Sequence, residues 1–221
     1  MLDIFDILGP VMVGPSSSHT AGAVRIGNMA RTLLGSEPTA AELYLHGSFA
    51  ETGRGHGTDK ALIAGLLGMR PDDMEIPNSF ALAGERGLRF AFHEIQLREA
   101  HPNTVVMELE GADGAHLKLQ ACSTGGGRIR VDELDDIPVG FSGEYHTLVI
   151  YNQDDYGYVG EVTTALSRAK VNIANMRLRR QGKGGLAIMV IELDQPVPPV
   201  VRQLLGELEG IQKITYYERE D

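Results

Sequence analysis

From His146 onward the apolar residues change period in a fixed order, and that order leaves few folds open. HTLVIYNQ, residues 146–153, is rich in β-branched and aromatic side chains and reads as a strand. VGEVTTALSRAK then sets Val159, Val162, Ala165, Leu166 and Ala169 along one stripe of a helix. VNIANMRLRRQ alternates in period two, with Ile173 and Leu178 among its apolar members, GKGG turns the chain, and LAIMVIEL returns as a nearly continuous apolar strand. PPVVRQLLGELEG opens with proline, which a first helical turn tolerates, and ends near Gly210; IQKITYYE is a last strand. The order strand, helix, strand, strand, helix, strand predicts a four-stranded sheet with both helices on one face, the βαββαβ or ferredoxin-like arrangement.

Ahead of this region the spacing predicts a helix from Thr20 to Leu34 stopped by Gly35, a strand in AELYLHGSF and a helix in TDKALIAGLLG. GLRFAFHEIQL reads as a strand, and NTVVMELEG with AHLKLQACS as a hairpin around Ala112, Asp113 and Gly114. VDELDDIPVGFSGEYHT, acidic and broken by Pro138, Gly140 and Gly143, reads as the join, placing the boundary between Asp136 and Glu144. The expectation is an α+β protein with domains over 1–140 and 144–221. A hydrophobic content of 43% in 221 residues can supply a core to each.

The formal charge of −10 argues against binding a phosphate backbone, so nucleic acid is not an expected partner. The basic run MRLRR alternates with apolar residues and reads as the solvated face of a strand. No apolar run approaches the roughly 20 residues of a membrane helix, and no basic cluster precedes an apolar segment at the N-terminus, so no membrane is expected and the expected location is cytoplasmic. Cys122 is the single cysteine, which excludes an intrachain disulfide and an iron–sulfur site held by this chain alone.

Four stretches carry residues suited to chemistry. In GPSSSHTAGA, residues 14–23, hydroxyls, free helix amides and the positive end of the helix dipole converge where a carboxylate or phosphate would be held. Capping alone needs one of Ser18 or Thr20, and the excess of donors favours a ligand. His19 can donate to a carboxylate or move a proton near neutral pH. In GSFAETGRGHGTDKAL the glycines Gly53, Gly55 and Gly57 read as a loop carrying His56, with Thr58 or Asp59 capping the next helix; the spacing fits neither GxxxxGK[ST] nor GxGxxG. EAHPNTVV sets His101 and Asn103 beside a proline, and ACSTGGGRIR sets Gly125, Gly126 and Gly127 at a strand end, where bare amides could line a pocket or form a tight turn. Cys122 beside them reads as a small buried residue. Neither HExxH, a nucleophile elbow, nor a metal spacing among His93, His101, His116 and His146 is present.

Taken together, IFDILGPVMVGPSSSHTAGAVRIGNMA, GSFAETGRGHGTDKAL, HPNT and STGGGRI resemble the beta subunit of the bacterial iron–sulfur L-serine dehydratase. The resemblance runs over nearly the whole chain. It implies a lyase that turns L-serine into pyruvate and ammonia, in which an alpha subunit ligates a 4Fe-4S cluster whose open iron binds the substrate hydroxyl. Ser16, Ser17, Ser18, His19 and Thr20 would then hold the substrate carboxylate, with His19 as the catalytic group. His101, Asn103 and Gly125 to Gly127 would make further substrate contacts, and His56 and Asp59 would meet the partner. The N-terminal domain also resembles the allosteric substrate-binding domain of some phosphoglycerate dehydrogenases, an α/β-sandwich-like unit, which implies instead a non-catalytic module that binds amino acids. From residue 144 the element order and NQDDYGYVGEV resemble the ACT domain. That likeness implies an amino-acid effector at Asp154 or Asp155, Gly157 and Asn172, and a homodimer of this chain. Tyr156 stands where that family usually has proline, and a plain strand-to-helix turn capped by Asp155 remains the other reading.

Overall fold

A computed structural model describes residues 11–219. The opening IFDILGP of the first motif lies outside the described residues. The chain divides into two compact units, Met1–Asp136 and Ile137–Asp221.

In the first unit, strands β1 (Pro38–His46), β2 (Arg89–Ile95), β3 (Thr104–Gly111), β4 (His116–Gly125) and β5 (Arg128–Leu134) stand in the order β2-β1-β3-β4-β5. β1 runs parallel to β2 and antiparallel to β3. A parallel pair needs a long crossover, and helices α2 (Ser48–His56), α3 (Thr58–Leu66) and α4 (Ser79–Glu85) fill it. Alternation decides which side chains meet: Leu43 lies across from Met107, and Met107 across from Leu119, all fully buried. α1 (Ala23–Leu34) lies on β3, β4 and β5 and buries Val24, Ile26, Met29, Ala30 and Leu33, then stops at Gly35 with φ 83°.

α1 and α3 cross where two glycines meet. A Cβ on Gly65 would lie 2.1 Å from the Val24 carbonyl oxygen and 2.8 Å from the Gly27 Cα. The helices can approach this closely only without side chains at the crossing.

Several expectations change. The first helix starts earlier than Thr20, as a π-helical turn over Ser17–Gly22 that runs into α1. GSFAETGRGHG is not a glycine loop: Ser48–His56 is helical, because Phe49 is fully buried and the Ala50 and Glu51 N–H groups both donate to the Gly47 carbonyl. Neither Thr58 nor Asp59 caps α3, since Gly57 takes the cap position with φ 70°. VDELDDIPVGF is largely strand: Ile129, Val131 and Leu134 bury the inner face of β5. The acidic pair Asp135 and Asp136 takes positive φ (49° and 63°), the left-handed conformation of a tight two-residue turn. The division into two units falls directly after this turn.

The second unit opens with β6 (Ile137–Phe141), whose Ile137, Val139 and Phe141 are buried. Then come β7 (His146–Gln153), α5 (Tyr158–Arg168), β8 (Ile173–Arg180), β9 (Leu186–Leu193), α6 (Pro199–Gly206) and β10 (Ile211–Tyr217). The sheet order is β10-β7-β9-β8, all antiparallel, which is the βαββαβ arrangement expected. Val162 and Leu166 of α5, with Val201 and Leu205 of α6, close over Leu148, Ile150, Met189 and Ile191. Glu192 is buried in β9, and its carboxylate accepts from the Ser142 N–H at 3.2 Å, the Ser142 hydroxyl at 3.4 Å and the Asn175 amide at 2.7 Å.

Gly65→Ala forces a methyl group into the α1–α3 crossing. The expected cost is at least about 1–3 kcal/mol, the range for overpacking, read as a lowered urea midpoint with unchanged slope. A midpoint equal to wild type would mean the helices can separate freely.

Candidate functional site

The polar turn before α1 is built from Ser16 outward. Ser16 has extended backbone (φ −141°, ψ 124°), its Oγ accepts from the His19 N–H at 3.1 Å, and its carbonyl accepts from the Thr20 N–H at 2.9 Å. The turn that follows is π-helical, a wider form often found at functional sites. Thr20 is buried, and its Oγ1 donates to the His56 carbonyl at 3.5 Å. Ser16, Ser17, Ser18 and His19 are half-buried, so they border an opening rather than fill a core.

Three other segments reach this turn. Gly47 (φ 55°) follows β1 directly, and a Cβ there would lie 2.7 Å from the Pro102 carbonyl oxygen. That contact brings the start of α2 against the 101–104 loop. Within the loop the Asn103 N–H donates to His101 Nδ1 at 3.1 Å and Thr104 Oγ1 donates to the His101 carbonyl at 2.6 Å. Asn103 is then tied to β4: the Ser123 N–H donates to its carbonyl at 3.0 Å, and its side-chain amide donates to the Ser123 carbonyl at 3.5 Å. A Cβ on Gly22 would lie 2.2 Å from Ser123 Oγ, so glycine there lets the polar turn sit on β4. Beyond Ser123, Gly125, Gly126 and Gly127 take φ of 98°, 62° and 77°, which favours glycine at each. Arg25 Nη1 holds the Gly127 carbonyl at 2.9 Å, and a Cβ on Gly125 would come 3.9 Å from Ser18 Oγ.

His19 is at the centre. Its Nε2 lies 3.1 Å from Ser48 Oγ and 3.2 Å from Thr52 Oγ1, and its Nδ1 lies 3.4 Å from Ser16 Oγ. The ring meets Phe49 edge-on at 5.4 Å and tilts against His56 at 5.1 Å. Burial pushes its pKa below the ordinary 6.5; the Ser48 backbone opposes this and the neighbouring His56 adds to it. A neutral imidazole framed by hydroxyls can accept a proton, and the serines, amides and asparagine beside it can donate hydrogen bonds to an anion.

The expected residues are only partly brought together. Ser16, Ser18, His19, Thr20, His56 and Gly125 join through hydrogen bonds or contacts about the turn, while Asn103, tied to His101, reaches it only through Ser123, which packs on Gly22. Asp59 is apart from it, its carboxylate accepting the Lys60 N–H at 2.8 Å. Ser48 and Thr52 join the site beyond the residues the sequence points to. Their signal is Ser-x-x-x-Thr, which puts both hydroxyls on one face of a helix and has that meaning only because Ser48–His56 is helical. Cys122 alternates with Ser123 along β4 and so points to the other face; burial pushes its thiol up to about 11. The site's donors are hydroxyls, amides and imidazoles. They do not suit an iron–sulfur cluster, which takes thiolates, and no group of three or more metal-ligating side chains occurs among the described residues.

In the second unit, the Gly184 N–H at 2.9 Å and Arg180 at 2.8 Å hold the Asp154 carboxyl below its usual range. Asp155 does not cap α5; its carboxylate accepts the Tyr156 N–H at 2.8 Å, and Gly157 takes the cap position with φ 98°. Gly157, Gly160, Glu161, Thr164, Ala165 and Arg168 line an open depression of about 400 Å³. Asn172 is not there. Ile173 and His146 both pair with Leu193, whereas Gln153 pairs with Leu186, so Asn172 sits at the other end of the sheet, on the order of 25 Å away. It is bound instead to Asp194 at 2.6 Å and Gln195 at 2.7 Å.

Comparison with known proteins agrees with this division. Residues 1–86 match the family model described as serine dehydratase beta chain, and residues 146–210 match that of the ACT domain. The chain is 39% identical over 212 residues to the probable L-serine dehydratase, beta chain, of Bacillus subtilis (strain 168), covering 96% of each. It is 34% identical over 215 residues to the L-serine dehydratase, beta chain, of Peptoniphilus asaccharolyticus, covering 97% of each. A D-3-phosphoglycerate dehydrogenase of Archaeoglobus fulgidus is 26% identical over 199 residues, which is 89% of this chain and 37% of that protein.

In a histidine-resolved NMR titration, His19 is expected to change charge below pH 6.5. Its folded-state pKa is depressed, so the unfolded chain binds that proton more readily. Stability is therefore full above 6.5 and is lost as pH falls through the folded-state value; His19→Gln removes that share of the slope. Titration at or above 6.5 would contradict the burial of the ring.

Proposed function

The chain belongs to the L-serine dehydratase beta-chain family, and from that premise we propose that it closes the active site of a two-subunit L-serine ammonia-lyase. The observation that carries the proposal is the convergence on His19: one imidazole, depressed in pKa and framed by Ser16, Ser48 and Thr52, on a turn whose Ser18 faces Gly125. Ser16, Ser17, Ser18 and the free amides of the turn hold the carboxylate of L-serine, with Asn103 and Gly125 to Gly127 completing the wall. Thr20 and His101 act by holding the turn and Asn103 in place. His19 takes the α-proton as a neutral base. The α-proton and the β-hydroxyl leave together as one water, giving aminoacrylate, which tautomerises to the imine; one water then hydrolyses the imine to pyruvate and ammonia.

The 4Fe-4S cluster is assigned to the alpha subunit, since the donors of this chain do not suit it, and no step above passes through it. His56, exposed at the end of α2, and Asp59 are assigned to the alpha-subunit contact. The second unit, an ACT domain, is assigned an amino-acid effector in the loop from Asp154 to Gly157. The sheet geometry separates Asn172 from that loop within one chain, so Asn172 can join it only across a homodimer. No helix among the described residues is long and apolar enough to cross a membrane. The likeness to D-3-phosphoglycerate dehydrogenase supports a second reading, an amino-acid-binding regulatory module without catalysis.

The two readings part on reconstitution. The chain alone is expected to be inactive on L-serine, anaerobic mixing with a cluster-loaded alpha subunit to restore turnover, and His19→Ala to lower kcat in the complex by about 10²–10⁴-fold with the fold retained. An inactive mixture of verified, cluster-loaded subunits would favour the regulatory module. Gly157→Val, which puts a branched side chain at φ 98°, is expected to abolish the response to added amino acids while basal turnover stays within twofold; an unaltered dose response would remove that loop from effector binding.

A further inference from the structure

The hydrogens around His19 can be counted. Thr52 Oγ1 donates to the Ser48 carbonyl four residues back at 2.9 Å, which uses its only proton. Toward its other neighbours Thr52 can only accept. Those neighbours are His19 Nε2 at 3.2 Å and Ser48 Oγ at 3.3 Å, and Ser48 Oγ is itself 3.1 Å from Nε2. If Nε2 carried no proton, two lone pairs would face each other across 3.2 Å, and the single Ser48 hydrogen could satisfy only one of them. With a proton on Nε2 every group is served: the N–H is shared by Thr52 and Ser48, and the Ser48 hydroxyl donates to Thr52.

The opposite edge of the ring agrees. Ser16 Oγ already accepts from the His19 N–H at 3.1 Å, so its own hydrogen is free to point at Nδ1, 3.4 Å away. We infer that Thr52 is a positioning residue: it commits the His19 proton to Nε2 and leaves Nδ1, on the Ser16 side, as the nitrogen that accepts the substrate proton. This rests on the reading of His19 as the base, but the tautomer itself is independent of catalysis. It also gives Ser16 a second task, since its hydroxyl marks the position a departing α-proton would reach.

The test uses the full chain labelled with ¹⁵N-histidine, His19 being assigned by the signals missing from His19→Gln. Wild type and Thr52→Ser are expected to show the Nε2–H tautomer. Thr52→Val and Thr52→Ala, each without the hydroxyl, are expected to move the ratio toward Nδ1–H by about three- to tenfold, the equilibrium equivalent of one hydrogen bond. In the complex with the alpha subunit, Thr52→Val lowers kcat with KM nearly unchanged, and Thr52→Ser restores it. Nδ1–H in the wild type, or a tautomer ratio unmoved in both hydroxyl-free variants, overturns the inference. A shifted ratio with undiminished kcat upholds the positioning role and instead removes His19 as the base.

Discussion

The end of β1 is pressed against the 101–104 loop with no room for a side chain between them, and the site exists because of that contact. Gly47 turns with positive φ directly under the Pro102 carbonyl, so α2 leaves the sheet edge aimed at the polar turn before α1. Ser48 and Thr52, at the start of α2, then reach His19. The same loop is laced to β4 through Asn103 and Ser123, and β4 ends at Gly125, which faces Ser18. Any residue with a Cβ at position 47 would separate these segments before their side chains could meet.

The local electrostatics follow from the choice of hydroxyls. Ion pairs such as Arg31 with Glu37 and Lys118 with Asp136 occur elsewhere in the first unit, but the groups within hydrogen-bond reach of the His19 ring are neutral. A carboxylate next to the ring would raise its pKa and hold it charged near neutrality. Burial against Phe49 and the proximity of His56 do the opposite. On the proposed reading an acidic protein can in this way receive an anion: hydroxyls and backbone amides attract negative charge by direction rather than by counter-charge.

In the second unit, polar residues do two unlike jobs. Glu192 is buried and saturated by Ser142 and Asn175, and so fixes the stretch between β6 and β7 that its composition marks as a linker. The loop after β7 leaves Gly157 exposed, with open space where a Cβ would be. The first arrangement fits a fixed part of the fold, and the second fits a surface that meets something else.

Periodicity alone determined the second unit. The alternation of LAIMVIEL and VNIANMRLRR and the stripe Val162, Leu166 each depend on neighbours close in the chain, and a four-stranded sheet with helices on one face is the arrangement that buries them together. The SSSHT turn was legible for the same reason, because capping and helix dipole act within a few residues. What the sequence could not disclose were choices made by distant contacts. GSFAETGRGHG is helical because Phe49 is buried and Gly47 supplies the first acceptors, which outweighs a cost of about 1 kcal/mol for each interior glycine. Asp135 and Asp136 take left-handed turn conformations that their charge alone does not announce. The Nε2 partners of His19 come from residues about thirty positions away, and Asn172 parts from Asp154 because register across β9, and not nearness in sequence, sets which ends of strands adjoin.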